Sequence, residues 1–287
     1  MITYFQPVHL DNQILASIDK VVICYKISNN KLREELMTLL QKLPFYEYVE
    51  IQHWQSFKPF SFHDNFSIQF PDSTSFWLGI GLNQLGKTDY SHIQLEFNPN
   101  KVAHHGVFCD LHTWLTTNSE RINRSIKRYD LAFDIPVERK YVIMLPDRRT
   151  YSCIQSNGAL TEYLGAKSST VGRVKLYDKS AESQLNSPLT RLELTLSPQM
   201  EYEELHIPDV YVVTDYQLRL DGIKLTDTDL FILNAILQHC GQITSLGRGE
   251  KAKIKAIIDS YLQKVILPLQ NFRQIQNQLR NYVESNQ

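Results

Sequence analysis

Residues 161–196 read TEYLGAKSSTVGRVKLYDKSAESQLNSPLTRLELTL, and the fold can be worked out from their pattern. RVKLYDK (173–179) and TRLELTL (190–196) alternate polar and apolar residues, which sends successive side chains to opposite faces of a sheet. Arg173, Lys175, Tyr177 and Lys179 therefore share one face, with Val174 and Leu176 on the other. The same arithmetic groups Arg191, Glu193 and Thr195 opposite Leu192, Leu194 and Leu196. A tyrosine flanked by cations, next to a strand that offers a lone carboxylate, points to phosphate chemistry.

Upstream, two more strands fit this scheme. RYDLAFDIP sets Asp130, Ala132 and Asp134 against Tyr129, Leu131 and Phe133, and HIQLEFNPNK sets His92, Gln94, Glu96 and Asn98 against Ile93, Leu95 and Phe97. Carboxylates from neighbouring strands either repel or hold a hard cation such as Mg²⁺ or Mn²⁺, which would polarise a phosphodiester. The competing reading is that each acid wets the outer face of an antiparallel sheet. His92-x-Gln94 offers a rival imidazole ligand, whereas His104-His105, just ahead of a helix, reads as a loop feature.

The remaining elements follow from periodicity. SIDKVVICYKI predicts a buried strand near 19–27, and KLREELMTLLQKL a helix with Asn30 as N-cap. Residues 44–75 read as loop and short strands. FWLGIGLNQ and HIQLEFNPNKV form a hairpin across QLGKTDY, and a helix is expected from Gly106 to Ile126. RYDLAFDIP and KYVIMLP are strands closed by prolines, with Tyr129 and Tyr151 read as packing residues. Beyond 200 the pattern gives one more strand and then three helices, the first capped by Thr226 or Asp227. The expected class is α+β: an antiparallel-sheet catalytic domain over 1–205 with helices on one face, then a mainly helical region over 206–287.

Composition narrows the function. With 287 residues, 43% hydrophobic and 21% charged, the chain is globular. No apolar run approaches the roughly 20 residues of a membrane span, and no basic-then-apolar leader opens it, so a cytoplasmic protein is expected. Cys24, Cys109, Cys153 and Cys240 form no CxxC pair, which argues against a zinc knuckle or disulfide framework. Net charge is −1, yet residues 120–179 carry +5 and residues 247–287 carry +4, a localised basic surface suited to phosphates. Neither GxGxxG nor GxxxxGK[ST] occurs, so dinucleotide and P-loop folds lack support.

The ordered set IDKVVICYKI, IQLEFNPNK, RYDLAFD, TEYLGAKSSTVGRVKLYDKSAE and TRLELTL, spanning about residues 18–200, resembles the rolling-circle replication initiators of the Rep-trans type and related relaxases. The resemblance implies a metal-dependent enzyme that nicks one DNA strand at an origin through a 5′-phosphotyrosine and later rejoins it. It implies Tyr177 as nucleophile and Glu96, Asp130 and Glu193 as metal ligands; Asp134, which shares a face with Asp130, is a further candidate metal ligand. Lys175, Arg173, Lys179 and Arg191 are placed to assist, and Tyr163 is the alternative nucleophile. The family's Arg-x-Tyr is here Lys175-x-Tyr177, which keeps a cation but loses the bidentate fork of arginine. FNPNK also replaces a more usual Ser-Gly ending.

Expected partners are single-stranded and duplex origin DNA, a host helicase and a second copy of the chain. DNA contacts are expected from Asn98 and Lys101, and from Arg248, Lys251, Lys253 and Lys255 in the basic C-terminal helices. Replication and conjugative transfer stay open as alternatives, as does an origin-binding regulator that has lost catalysis on the same scaffold.

Overall fold

The computed structural model describes residues 8–10, 14–27, 30–45, 48–56, 62–81, 91–119, 124–156, 159–166, 172–200, 204–213, 225–239, 242–267 and 272–284. It is an α+β protein built on one large antiparallel sheet. The strands are β1 (Val8–Leu10), β2 (Ile14–Ile27), β3 (Glu50–Gln55), β4 (Asp64–Gln69), β5 (Ser75–Ile80), β6 (Ser91–Phe97), β7 (Arg124–Ile135), β8 (Val142–Leu145), β9 (Tyr151–Ser156), β10 (Ala159–Leu164), β11 (Arg173–Asp178), β12 (Thr190–Leu196), β13 (Asp209–Val212) and β14 (Gln263–Lys264). The helices are α1 (Asn30–Lys42), α2 (Pro99–Val102), α3 (Gly106–Asn118), α4 (Lys179–Ser183), α5 (Asp227–Leu237), α6 (Arg248–Tyr261) and α7 (Phe272–Glu284).

The main sheet has 11 strands in the order β3-β4-β5-β6-β2-β7-β12-β11-β10-β9, with β1 also paired to β2. β2 is its longest strand at 14 residues. Its apolar run Val21-Val22-Ile23 is fully buried, as befits a central strand between β6 and β7. Ile18, Leu95, Leu131, Phe133, Leu176, Leu192 and Leu194 form one apolar face, which packs with Leu36 and Leu40 of α1, Phe108 and Leu111 of α3, and Ile275 and Leu279 of α7. The opposite face of β11, β12, β7, β2 and β6 is left for the polar residues.

The hairpin expected across QLGKTDY is present as β5 and β6, paired from Phe76↔Phe97 to Ile80↔Ile93; its turn lies outside the described residues. The helix expected to run to Ile126 stops earlier. α3 ends at Asn118, and Ile126 belongs to β7. Arg124 supplies the physical reason. Its guanidinium donates to the Thr116 and Ser119 carbonyls, placing a cation on the negative end of the helix and opening the next strand. Thr226 caps α5, its hydroxyl accepting from the Asp229 amide while Asp229 accepts from the Thr226 amide, a capping box.

The C-terminal elements divide between two cores. β8, β13 and β14 form a second sheet, and Ile143, Leu145 and Tyr211 on it pack with Leu233, Ile236, Ile254 and Ile258 of α5 and α6. β8 therefore faces both cores, with Val142 and Met144 in the first and Ile143 and Leu145 in the second, although it lies before residue 205. α7 returns to the first core, so residues 206–287 serve both.

Candidate active site

The polar face of the central strands collects the residues that alternation placed there. Tyr177 on β11 pairs with Arg191 on β12, and Lys175 with Glu193. Across the next ladder, Glu193 faces Ala132, Thr195 faces Asp130 and Arg191 faces Asp134. Asp130 in turn faces Lys20 on β2, and Val22 faces Glu96 on β6. Directly paired residues share a face, so the face runs continuously from Tyr163 on β10 to Glu96.

Tyr177 is 4% exposed, and its hydroxyl donates to Glu193 Oε2 at 3.3 Å. Burial, reinforced by the Glu193 and Glu182 charges, pushes its phenol well above the usual range. Lys175 Nζ stands 3.7 Å above the tyrosine ring and Lys179 Nζ 6.0 Å, a cation–π stack on the ring face. Lys179 is also ion-paired to Glu182 and sits on the first turn of α4. Arg173 caps the Tyr163 ring at 4.6 Å.

The four acids fall into two groups. Asp130 and Glu193 lie on adjacent strands: burial raises both carboxyls, the Asp19 charge adds to the rise of Asp130, and the Asp130 charge raises Glu193 further. Asp130 Oδ1 is buried without a hydrogen-bond partner. Glu96 and Asp134 are differently placed. Glu96 lies three strands from Glu193 in the sheet order, roughly 14 Å between backbones at the usual strand spacing, and is gripped by Lys20 at 2.8 Å and Arg128 at 3.4 Å. Asp134 is held by both sides of the Arg191 guanidinium, at 2.6 and 2.7 Å, and Arg191 also pairs with Asp19. This bidentate pair commits Arg191 and Asp134 to each other, rather than to a ligand set and a phosphate clamp.

Residues that periodicity did not single out complete the face. Lys20 is the main one: burial alone would lower its ammonium, but the charges of Glu96, Asp130 and Glu193 outweigh burial and raise it. It reaches the polar face because the register shifts between Ile18 and Lys20. A bulge of this kind re-aims side chains and turns Asp19 toward Arg191 and Asn98. Counting by two from Ala16 and Ile18 would put Lys20 on the apolar face, because the bulge breaks the period there. Asn98 donates to Asp19 at 3.1 Å and accepts from the Asn100 amide as the cap of α2, so it serves the scaffold; Lys101 is exposed on the same short helix.

His92 is exposed on β6, and Gln94 is buried, accepting from Lys127 at 3.4 Å. Among the described residues, the one group of three side chains spaced to hold a metal is Asp72, His104 and His105; the two histidines lie in the link ahead of α3, as the loop reading had them. In the C-terminal region Lys253 is paired to Asp229, and Lys255 and Lys264 to Asp209 at 3.0 and 2.6 Å. Arg248 is exposed and Lys251 half-buried at the start of α6. No helix of the described residues is long and apolar enough to cross a membrane.

No protein-family model matches the chain, and the search of curated proteins returned no match.

Proposed function

We propose that this protein is a DNA strand-transferase in which Tyr177 cuts one strand and holds its 5′-phosphate, as in initiation of rolling-circle replication. The observation that carries this reading is the Tyr177 hydroxyl pointed at Glu193, with Asp130 beside it and Lys175 over the ring. The phenolic oxygen attacks phosphorus, the bond from phosphorus to the 3′-oxygen breaks, and the strand leaves with a free 3′-hydroxyl. The phenolic proton passes to Glu193 and a proton returns to the departing 3′-oxygen, so no co-reactant is needed. Glu193 suits this task because its carboxylate is already the acceptor of the Tyr177 hydroxyl at 3.3 Å. The product aryl phosphate ester keeps the energy of the broken linkage, which lets the reaction run backwards and reseal DNA.

Asp130 and Glu193 fit a hard divalent cation, Mg²⁺ or Mn²⁺: one buried carboxylate oxygen of Asp130 lacks any partner, burial raises both carboxyls, and the Asp130 charge raises Glu193 further. Such an ion would neutralise charge on the phosphate. Lys20 already supplies one positive charge there, and Lys175 and Arg173 extend it along β11 toward an incoming backbone.

A second reading, a DNA-binding protein on this scaffold without catalysis, is favoured by the 4% exposure of Tyr177 and by the ammonium of Lys20 among the acids. The discriminating substrate is the supercoiled DNA that encodes the protein, incubated with Mn²⁺ and then denatured. The transferase leaves a denaturant-resistant adduct that peptide mapping assigns to Tyr177 and that Tyr177→Phe abolishes with duplex binding intact. An adduct mapped to Tyr163 would move the nucleophile by one strand, and duplex binding without nicking would establish the second reading.

A further inference from the structure

We propose that Asp72, His104 and His105 form a binding site for a borderline transition-metal dication of the Zn²⁺ class, separate from the acids around Tyr177 and independent of the strand-transfer reading. Asp72 lies in the turn between β4 and β5, and the two histidines lie in the link between α2 and α3, so the three ligands come from segments about 30 residues apart. Consecutive side chains usually diverge, yet both imidazoles converge here on one oxygen. Asp72 Oδ2 stands 3.2 Å from His105 Nε2 and 3.7 Å from His104 Nε2, with the ring centroids 4.1 Å apart. A tetrahedral ion with bonds of about 2.0–2.1 Å separates its ligand atoms by about 3.3–3.4 Å, which those two distances straddle.

The surroundings hold the ligands in place. Asp72 Oδ1, the oxygen facing away, accepts from the Thr74 amide at 2.9 Å and the Thr74 hydroxyl at 2.6 Å, leaving Oδ2 to the histidines. The turn is closed by the Phe70 amide donating to the Thr74 carbonyl and the Ser73 amide to the Phe70 carbonyl. The His105 ring lies flat on Phe70 at 3.6 Å between centroids and 5° between planes. Outer contacts that orient each ligand are what set metal affinity. Two nitrogens and one carboxylate oxygen favour Zn²⁺, Co²⁺ or Ni²⁺ over Mg²⁺, which prefers all-oxygen surroundings. Three protein ligands leave a fourth position for water. His104 is 55% exposed and Asp72 44%, so an ion can enter from solvent.

Asp64, with His53 and His63 against it, offers a control. That carboxylate is also bonded to Arg33 at 3.0 Å, and a guanidinium there repels a cation. The test is equilibrium dialysis of the full chain against Zn²⁺, with Co²⁺ absorption as a report of coordination geometry. With excess Mg²⁺ present to occupy the acids around Tyr177, the expected result is one tightly bound Zn²⁺ per chain, held at least ~10-fold more weakly by His104→Asn and by Asp72→Asn and unchanged by His53→Asn. His104→Asn alters an exposed side chain, and an unchanged circular dichroism spectrum verifies that it folds. The proposal is overturned if both variants keep the wild-type affinity, if His53→Asn is the one that loses the ion, or if Zn²⁺ binds no more tightly than Mg²⁺.

Discussion

Asp64 and Asp130 are buried carboxylates on strands of one sheet, 3% and 6% exposed, and their surroundings treat them in opposite ways. Asp64 accepts from Arg33 and His63 on one oxygen and from Gln55 and His53 on the other, all at 3.0–3.1 Å. Burial works against its charge, but the bonds from His63, Gln55 and His53 outweigh burial and bring its carboxyl down to about 2. Asp130 has an oxygen with no partner, and burial, with the Asp19 charge added to it, outweighs Thr195, Lys20 and Arg128, so its carboxyl rises. A satisfied buried acid serves stability. An unsatisfied one costs stability, and such groups concentrate at functional sites.

The comparison is most easily broken at Asp64. Asp64→Ala should cost about 3–5 kcal/mol in urea unfolding, because it strands a partly buried guanidinium; a cost under about 1 kcal/mol would show the hub to be ornamental. The pH dependence has a definite sign. A carboxyl lowered on folding contributes stability above its unfolded pKa of about 3.9 and loses it as pH falls toward 2, on the order of 2 kcal/mol, and Asp64→Asn should remove that acid limb.

His112 carries the comparison to a base. Burial, then the Arg124 charge, brings its imidazole down to about 4. Its neutral form packs beside Phe97 and Phe108. Protonation favours the unfolded chain, so stability is full above about pH 6.5 and falls as pH drops toward 4. His112→Phe should flatten unfolding free energies between pH 7 and 5; an unaltered slope would place that titration elsewhere.

Among cations the same contrast separates Lys253 and Lys255, each ion-paired, from Arg248 and Lys251, for which no ion pair occurs among the described residues. Under the DNA-binding reading, Arg248→Ala with Lys251→Ala should lower the salt slope of duplex binding by up to about 2, while Lys253→Ala with Lys255→Ala should change it less. Equal slopes in both pairs would remove this helix from the interface. The smallest effect belongs to Asp130→Asn, which should change stability at pH 7 by less than about 1 kcal/mol, because a neutral amide relieves the raised carboxyl. The same variant should raise the Mn²⁺ concentration needed for adduct formation; an unchanged requirement would leave Asp130 without a role in cation binding.

Alternation by itself determined which side of each strand is polar. Tyr177, Glu193 and Asp130 share a face because side chains in a strand have a period of two, and their apolar neighbours Leu176, Leu192 and Leu131 are 0–1% exposed. The α+β class, the hairpin of β5 and β6 and the Thr226 cap follow from equally local rules. Lateral order is not local, since it depends on which strands pair across more than a hundred residues. Only the tertiary structure decided that Glu96 lies three strands from Glu193, that Arg191 closes on Asp134, and that a bulge in β2 turns Lys20 among the acids. The convergence of His104 and His105 on Asp72 belongs to the same class: a turn and a helix entry meet there because β4 and β5 pair with each other and β5 pairs with β6, which leads into α2 and α3.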